Sequence, residues 1–207
     1  MAEPERAEEG LSGQLTLTEE TPRILDATCS YGMDRRPTKR RWPQYASIRI
    51  DIRPETKPDI VMDNTDLRFP DHYFDQIYYD PPHVIRRASD LKWLIFFQNY
   101  RKEHESRKSP GFFDRYGSWR SKEEFLENIK GVNREFYRCL KPDGRLFVKL
   151  GVEWSKRTRC ITLREFLDRM TNFEILKDRV TISRSNLGKN RVHWLTAKPR
   201  RGDEQGP

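Results

Sequence analysis

Residues 74–87 read FDQIYYDPPHVIRR, and the first six of them have the composition of a buried β-strand. An acidic residue, Asp80, follows directly, and then Pro81 and Pro82. Proline lacks a backbone N–H and forces the preceding residue into an extended conformation, so the two prolines end the strand. The sequence therefore places a carboxylate at the carboxyl end of a buried strand, beside a stiff loop.

Apolar runs of strand length alternate with helical patterns through the rest of the chain. Strands are predicted at residues 23–28, 46–52, 60–62, 76–79, 145–150, 173–176, 180–183 and 192–197, and helices at 121–140 and 163–170. The longer helix starts at a capping box, Ser121 to Glu124, and the last two strands flank a turn at residues 186–189. This order predicts an α/β fold with a Rossmann-like, doubly wound sheet, mostly parallel and with a C-terminal antiparallel hairpin.

Length and composition suggest one domain. The acidic residues 1–20 are predicted to be a disordered head, residues 21–199 a single folded domain, and residues 200–207 a flexible tail. No apolar run approaches the roughly 20 residues of a membrane helix, and the first residues do not resemble a signal peptide. The three cysteines have no metal-ligand spacing, so we expect reduced thiols, no metal site and a cytoplasmic protein.

The charge of the chain is unevenly distributed. Residues 1–20 hold six acidic residues and one arginine, a net charge of −5, so the remaining residues carry +13 of the total of +8. A basic body favours a polyanionic partner, with DNA or RNA first, although a solvated basic surface would have the same composition.

Four acidic residues stand at or near the ends of the first four predicted strands, and they are Asp26, Asp51, Asp63 and Asp80. Ligands of doubly wound sheets bind beyond the carboxyl ends of the strands, where an acid after the second strand accepts hydrogen bonds from ribose hydroxyls. Asp51 lies 25 residues after Asp26, near the spacing of about 20 in dinucleotide-binding folds. The pattern favours a nucleoside cofactor, whereas a single such acid would more simply cap a loop.

With these motifs in this order, residues 23–198 resemble the class I S-adenosylmethionine-dependent methyltransferases, and among them the amino-methyltransferases of nucleic acid bases. The motifs that carry the resemblance are DATCSYG at 26–32, Asp51, DNTDLRFPDHYFD at 63–75, DPPH at 80–83 and KPDGRLFVKL at 141–150. Two departures from the family pattern stand out. The first loop has a single glycine, Gly32, and His83 replaces the usual aromatic residue.

The resemblance implies S-adenosylmethionine as the cofactor and methyl transfer to an exocyclic amino nitrogen. The catalytic residues it implies are Asp80, Pro81, Pro82 and His83. The cofactor-binding residues it implies are Asp26, Thr28, Cys29, Gly32, Asp51, Ile52, Asp63, Asn64 and Asp80. Asp80 and the Pro81 carbonyl would accept the amino hydrogens, and His83 would stack on a base taken out of its helix or loop.

The segment at about 84–120 is an insertion rich in basic and aromatic residues. Residues 84–122 hold ten Lys or Arg against four acidic residues, with eight aromatic residues interleaved. Attraction of phosphate combined with base stacking is what a single-stranded or flipped-out substrate requires, although residues 91–100 would also suit an amphipathic helix packed on the sheet. The predicted substrate-binding residues here and in the hairpin are Arg86, Arg87, Tyr116, Trp119, Arg184, Lys189 and Arg191.

Several alternatives remain open at the level of sequence. The target could be DNA adenine-N6 or cytosine-N4, slightly favoured by the DPP motif, or RNA guanine-N2 or adenine-N6. A catalytically weakened, nucleic-acid-binding partner subunit is the alternative from another class, and a methyltransferase for small molecules or proteins is a third. A partner subunit or a homodimer is compatible with all of these.

Overall fold

The computed structural model of the chain describes residues 21–29, 46–82, 85, 119–152, 161–185 and 188–201, with residues 183–185 and 188–190 described by their backbone only. The strands are β1 (Ile24–Asp26), β2 (Ile48–Asp51), β3 (Ile60–Val61), β4 (Phe74–Tyr79), β5 (Leu140–Val152), β6 (Phe173–Ser185) and β7 (Gly188–Pro199). The helices are α1 (Lys122–Cys139) and α2 (Leu163–Leu167), and Pro54–Thr56 forms one 3-10 turn.

All seven strands belong to one sheet with the order β3-β2-β1-β4-β5-β7-β6. Strands β1 to β5 pair in parallel, and β7 runs antiparallel to both β5 and β6. The predicted α/β sheet with a C-terminal antiparallel hairpin is therefore confirmed. The chain moves outward from β1 to β3 and then returns to β4 on the other side of β1, so the strand order reverses between β1 and β4. That reversal is where such sheets bind their ligands.

The fold is built around β4. Phe74, Ile77 and Tyr79 are fully buried, and Ile77 is paired with Leu25 of β1 and Leu146 of β5. Residues paired across strands face the same side of a sheet, so these side chains form one apolar layer. The alternate residues of β4 point to the opposite face, and that face leads to Asp80.

Helix α1 packs its apolar stripe under this layer. Its fully buried residues are Phe125, Ile129, Val132, Phe136 and Cys139, which recur at the three- and four-residue spacing of one helical face. The Ser121 hydroxyl caps the helix by accepting a hydrogen bond from the Glu124 backbone N–H at 3.1 Å. The Glu124 carboxylate accepts from the Arg120 N–H at 2.7 Å, one residue before the partner that a standard capping box would use.

Several predicted boundaries differ from the structure. β5 and β7 are longer than the strands predicted at 145–150 and 192–197, and larger changes concern β6 and α2. Residues 173–176 and 180–183 were expected as separate strands, but they form the single strand β6 with an irregular register between Ile175 and Lys177. The charged residues between them interrupted the apolar pattern, yet an edge strand can place them in solvent without breaking its pairing. The predicted helix at 163–170 ends at Leu167, after a capping box formed by Thr162 and Glu165.

The predicted tail begins at residue 200, but its first two residues are held against the body. The Arg200 N–H donates to the Asn172 carbonyl at 2.8 Å, and the Arg201 guanidinium donates to the Tyr137 and Leu140 carbonyls at 3.1 and 2.9 Å. Arg201 thereby satisfies carbonyls at the end of α1, where a positive charge is favourable. The packed domain extends at least to Arg201. The predicted head and most of the insertion at 84–120 lie outside the described residues.

Within the described ranges, no helix is long and apolar enough to cross a membrane.

Candidate active site

The carboxyl ends of β1, β2 and β4 bring the predicted acids to one edge of the sheet. Asp26 ends β1 and is paired in register with Arg49 of β2 and Tyr78 of β4. Asp51 therefore lies two residues beyond this level on one side, and Asp80 two residues beyond it on the other. Because the strands are parallel, these carboxylates belong to the same end of the sheet, at the reversal of strand order.

The loop after β1 is fixed between β2 and β4 by its backbone. The Ala27 N–H donates to the Tyr78 carbonyl at 2.9 Å, and the Cys29 N–H donates to the Ile50 carbonyl at 3.0 Å. The Asp26 carboxylate accepts from the Thr28 N–H at 3.2 Å. Residues 27–29 thus continue the sheet before the loop leaves it, whereas Gly32, the predicted glycine of this loop, lies outside the described residues.

Cys29 is a buried thiol with acidic neighbours. Burial, together with the negative charges of Asp26 and Asp51, raises its pKa from 9.0 to about 12. A thiol in this setting stays protonated and is a poor nucleophile. Cys29 is a free cysteine, as the sequence predicts.

Asp51 has a basic partner that the sequence did not suggest. Its carboxylate is 7% exposed and accepts two hydrogen bonds from the Arg53 guanidinium, at 2.9 and 3.0 Å, and one from the Arg53 backbone N–H at 3.0 Å. An ionised carboxylate has about four acceptor sites, so a ribose that donates both of its hydroxyls to Asp51 would exchange with at least one of these donors. Ile52, between the two residues, is 64% exposed and offers an apolar surface beside the carboxylate.

The residues after β3 are engaged mainly with their own loop. One oxygen of Asp63 accepts from both the backbone N–H and the hydroxyl of Thr65, each at 2.8 Å. The Asn64 side chain donates to the Ala27 carbonyl and accepts from Asn128 of α1, both at 3.4 Å. Asn64 therefore ties the loop after β1 to α1, and Asp63 stabilises the turn that follows it.

Asp80 is held from two sides. Its backbone N–H donates to the Thr28 hydroxyl at 2.8 Å, which joins the end of β4 to the loop after β1. Its Oδ2 atom forms an ion pair with the Lys149 ammonium of β5, and the two side chains are 34% and 32% exposed. The Lys149 ammonium also lies 5.7 Å from the centre of the Trp194 ring of β7. Asp80 is consequently oriented before any ligand arrives.

The Pro82 carbonyl contacts Trp119. The Trp119 indole N–H donates to this carbonyl, and its ring stacks on Phe125 of α1 with 5.0 Å between ring centres and a 9° angle between planes. Ile85 also forms a bridge with Trp119. The structure therefore places Trp119 next to the DPP motif, with one ring face packed on the core helix.

The other predicted substrate residues are less completely described. Arg191 is an exposed residue of β7, and Arg184 and Lys189 are paired across the hairpin in the backbone register. Five of the predicted site residues lie outside the described part of the chain, and these are Gly32, His83, Arg86, Arg87 and Tyr116. In the described residues, no group of three His, Cys, Asp or Glu side chains is arranged to hold a metal ion.

Sequence reasoning missed Arg53 and Lys149. Lys149 had a signal, because it stands between Val148 and Leu150, two buried positions of a strand, and alternation sends it to the opposite face. A charged residue on that face, one strand from Asp80, is a candidate partner for the carboxylate. Arg53 had no comparable signal, since it follows the strand.

No protein-family model and no curated protein sequence matches the chain. Among solved structures, the PH0226 protein from Pyrococcus horikoshii OT3 has a TM-score of 0.52 at 13% identity, over 89% of this chain and 84% of that one. The 4+2 cyclase SpnF has a TM-score of 0.52 at 16% identity, over 87% and 76%. A SAM-dependent methyltransferase from Methanosarcina mazei has a TM-score of 0.49 at 15% identity, over 88% and 94%.

At these identities the similarity shows the fold alone, and one of the structures is described as a cyclase. The activity of the chain therefore depends on the residues of its site. The fold itself is clear. The strand order and the antiparallel seventh strand are those of the class I methyltransferase fold.

Proposed function

We propose that the protein is an S-adenosylmethionine-dependent methyltransferase that modifies an exocyclic amino nitrogen of a nucleic acid base. The hydrogen bond from the Asp80 N–H to the Thr28 hydroxyl, at 2.8 Å, is the observation that carries this proposal. It joins the loop expected to hold the cofactor to the carboxylate expected to hold the amino group. A methyl donor and a methyl acceptor bound to these two elements would be neighbours, which direct transfer requires.

The residues at this edge of the sheet fit the cofactor. Asp51 offers carboxylate oxygens to ribose hydroxyls, and the exposed Ile52 side chain offers an apolar face to the adenine ring. Asp63 and Asn64 lie on the next loop, and Asp26 and Thr28 border the site on the β1 side. When bound, S-adenosylmethionine supplies an electrophilic methyl group on a sulfonium.

The chemistry that remains for the protein is positioning. An exocyclic amino group is a weak nucleophile because its lone pair is delocalised into the ring. Asp80 Oδ1 and the Pro81 carbonyl accept the two amino hydrogens, which turns the nitrogen lone pair toward the methyl group. The prolines keep both acceptors in place, and the nitrogen, cationic after the transfer, releases its extra proton to water. His83 stacks on the base in this proposal.

The nucleic acid partner is supported by charge. The residues beyond 20 carry +13, and the basic and aromatic insertion follows directly after the DPP motif. DNA adenine-N6 and cytosine-N4, and RNA adenine-N6 and guanine-N2, are the target classes.

Labelled-methyl transfer to DNA and RNA pools, followed by nucleoside identification by mass, tests the proposal. Asp80→Ala should reduce transfer by about 100-fold or more while calorimetry still detects cofactor binding, because loss of one preorganised electrostatic contact has effects of this size. Asp75→Ala is the matched control, since Asp75 lies on β4, the strand that leads to Asp80, and is paired with Lys141 at 2.6 Å. Undiminished transfer by Asp80→Ala would refute the proposed role of the carboxylate.

A second candidate is a partner subunit that binds nucleic acid without turnover. The observation that favours it is the Arg53–Asp51 pair, which occupies the oxygens expected to bind ribose. Tight nucleic acid binding, combined with no heat of cofactor binding and no methyl transfer, would support this candidate over the enzyme.

A further inference from the structure

Lys149 is placed beside Asp80 by the register of the sheet. Tyr79 of β4 is paired with Val148 of β5, so the next residue of each strand, Asp80 and Lys149, leaves the buried layer for the opposite face. Their side chains meet there through Asp80 Oδ2 and the Lys149 ammonium. The charged pair therefore follows from backbone register and from the period of two in a strand.

The ammonium of Lys149 is fixed by a further contact. It lies 5.7 Å from the centre of the Trp194 ring, within the range of a cation–π interaction. The Trp194 indole N–H donates to the Thr181 hydroxyl of β6 at 2.9 Å, which orients the ring. Trp194 on the neighbouring strand β7 thus holds the ammonium group, and Thr181 of β6 holds the Trp194 ring.

The pair presents a hydrogen-bond donor beside an acceptor. An ammonium group has three N–H donors, and Asp80 Oδ2 uses one of them. In the part of the chain that the structure describes, Oδ1 of Asp80 has no hydrogen-bond partner. The Asp80 Oδ1 acceptor thus lies beside the Lys149 donors. The edge of a base carries the complementary groups side by side, which are an amino group and an unprotonated ring nitrogen.

We propose that Lys149 binds the target base by donating to the ring nitrogen that flanks the amino group held by Asp80. This inference rests on the proposed function and narrows its substrate class. Adenine presents an unprotonated ring nitrogen on each edge beside its amino group, N1 and N7, and cytosine presents N3. The Watson–Crick edge of guanine would instead need two carboxylate oxygens for N1–H and N2–H, and Lys149 occupies one of them, so guanine would have to present the nitrogen on the other side of its amino group, N3. The site therefore accepts adenine, cytosine or the N3 edge of guanine, and it excludes the Watson–Crick edge of guanine.

Deaza bases provide the test, since they replace one ring nitrogen with C–H and keep the amino group. The substrates are matched oligonucleotides carrying adenine, 1-deazaadenine or 7-deazaadenine, and cytosine or 3-deazacytosine. In the wild-type protein, removing the contacted nitrogen should lower kcat/KM by about 10- to 100-fold, the value of a hydrogen bond to a charged group. Lys149→Met should lose a similar factor on the parent base and show little further loss on the deaza base.

Two further variants separate binding of the base from a structural effect. Lys149→Arg keeps a charged donor, so it should keep discriminating against the deaza base even if its activity is lower. Lys141→Met is the matched control. Lys141 and Asp75 join the same two strands at their other end, with nearly the same exposure, 31% and 32%. Its loss should leave the deaza penalty at the wild-type value.

Each outcome decides between the proposals. Absence of methyl transfer to any nucleic acid by the wild-type protein overturns the proposed function and this inference with it. Transfer with an equal deaza penalty in wild type and Lys149→Met overturns the inference and leaves the function standing. If guanine-N2 is the preferred target, the same comparison is made with guanine and 3-deazaguanine, and an equal penalty again overturns the inference. If Lys149→Met does not fold, as judged by thermal unfolding, the wild-type and Lys149→Arg penalties decide the question.

Discussion

Removal of the Arg53 side chain should tighten cofactor binding. In the structure the Arg53 guanidinium donates two hydrogen bonds, at 2.9 and 3.0 Å, to the carboxylate of Asp51, which is 7% exposed. A ribose that binds Asp51 must replace part of this pair. In Arg53→Ala the carboxylate has lost the competing donor, and it is a buried charge in need of one.

The expected magnitude follows from the strength of such contacts. Hydrogen bonds to charged groups contribute about 1.5–3 kcal/mol, and partial exposure of Arg53 reduces the figure to about 1–2 kcal/mol. The Kd of S-adenosylmethionine should therefore fall by about 5- to 30-fold. The same change should lower the free energy of unfolding of the ligand-free protein by about 1–2 kcal/mol, because among the described residues the Asp51 carboxylate would then keep one donor, the backbone N–H of residue 53.

Calorimetry of cofactor binding and urea unfolding measure the two effects. Arg53→Lys keeps the charge but not the two-pronged geometry, and it should lie between wild type and Arg53→Ala. Arg49→Ala is the control, because Arg49 is paired with Asp59, at 3.9 Å, and does not contact Asp51. Weaker or unchanged cofactor binding by a folded Arg53→Ala protein would show that Arg53 does not compete with the ribose, and the reasoning would fail.

Two other predictions concern the same end of the sheet. A β-carbon at Gly131 of α1 would lie 2.8 Å from the Cβ and Cγ2 atoms of Thr65, so Gly131→Ala should lower the free energy of unfolding by about 1–2 kcal/mol, measured in urea. Thr65→Gly removes those atoms, so Gly131→Ala should lower the free energy of unfolding less in the Thr65→Gly variant than in the wild type. Equal losses in the two backgrounds would contradict the clash. Because the pKa of Cys29 is about 12 in the fold and 9.0 in the unfolded chain, its contribution to stability is complete below pH 9 and is lost as the pH rises toward 12. Cys29→Ala should show a smaller loss of stability over that range, by up to about 1.4 kcal/mol per pH unit, in urea unfolding at several pH values; identical pH profiles would argue against a buried thiol.

Much of the fold could be predicted because its signals are local and agree with one another. β4 is apolar and ends at two prolines, and α1 has a cap, an apolar stripe and a clear stop. The sequence pattern predicts two strands in place of β6, because the charged residues 177–179 interrupt the apolar residues. What keeps the strand continuous is its pairing with β7 over its whole length, a non-local interaction that no short window of sequence contains.

The convergence of the strand-end acids could be predicted from the sequence, but the basic partner of each acid could not. Parallel strands bring their carboxyl ends together, so the acids at those ends could be expected to converge. Which cation each acid would meet depends on side-chain direction and strand register. Asp51 is paired with a residue two positions later, and Asp80 with a residue 69 positions away. Trp119 was expected to bind substrate, and its contact with Phe125 could not be foreseen for the same reason.

The Arg53–Asp51 and Lys149–Asp80 pairs explain why two basic residues lie at the end of the sheet that carries the candidate site. Asp51 and Asp80 lie at the same end of the sheet, and two buried or half-buried carboxylates with no compensating charge would destabilise the ligand-free fold. Arg53 and Lys149 neutralise them with different geometries. Arg53 covers both oxygens of its partner, so a ligand at Asp51 must displace it, whereas Lys149 holds one oxygen and leaves the other for the ligand. Binding at Asp51 is therefore an exchange of donors that weakens affinity, and binding at Asp80 is an addition to a pair that is already oriented. Loss of the Arg53 side chain and loss of the Lys149 ammonium should consequently have opposite effects. Arg53→Ala should bind the cofactor more tightly, and Lys149→Met should transfer the methyl group more slowly.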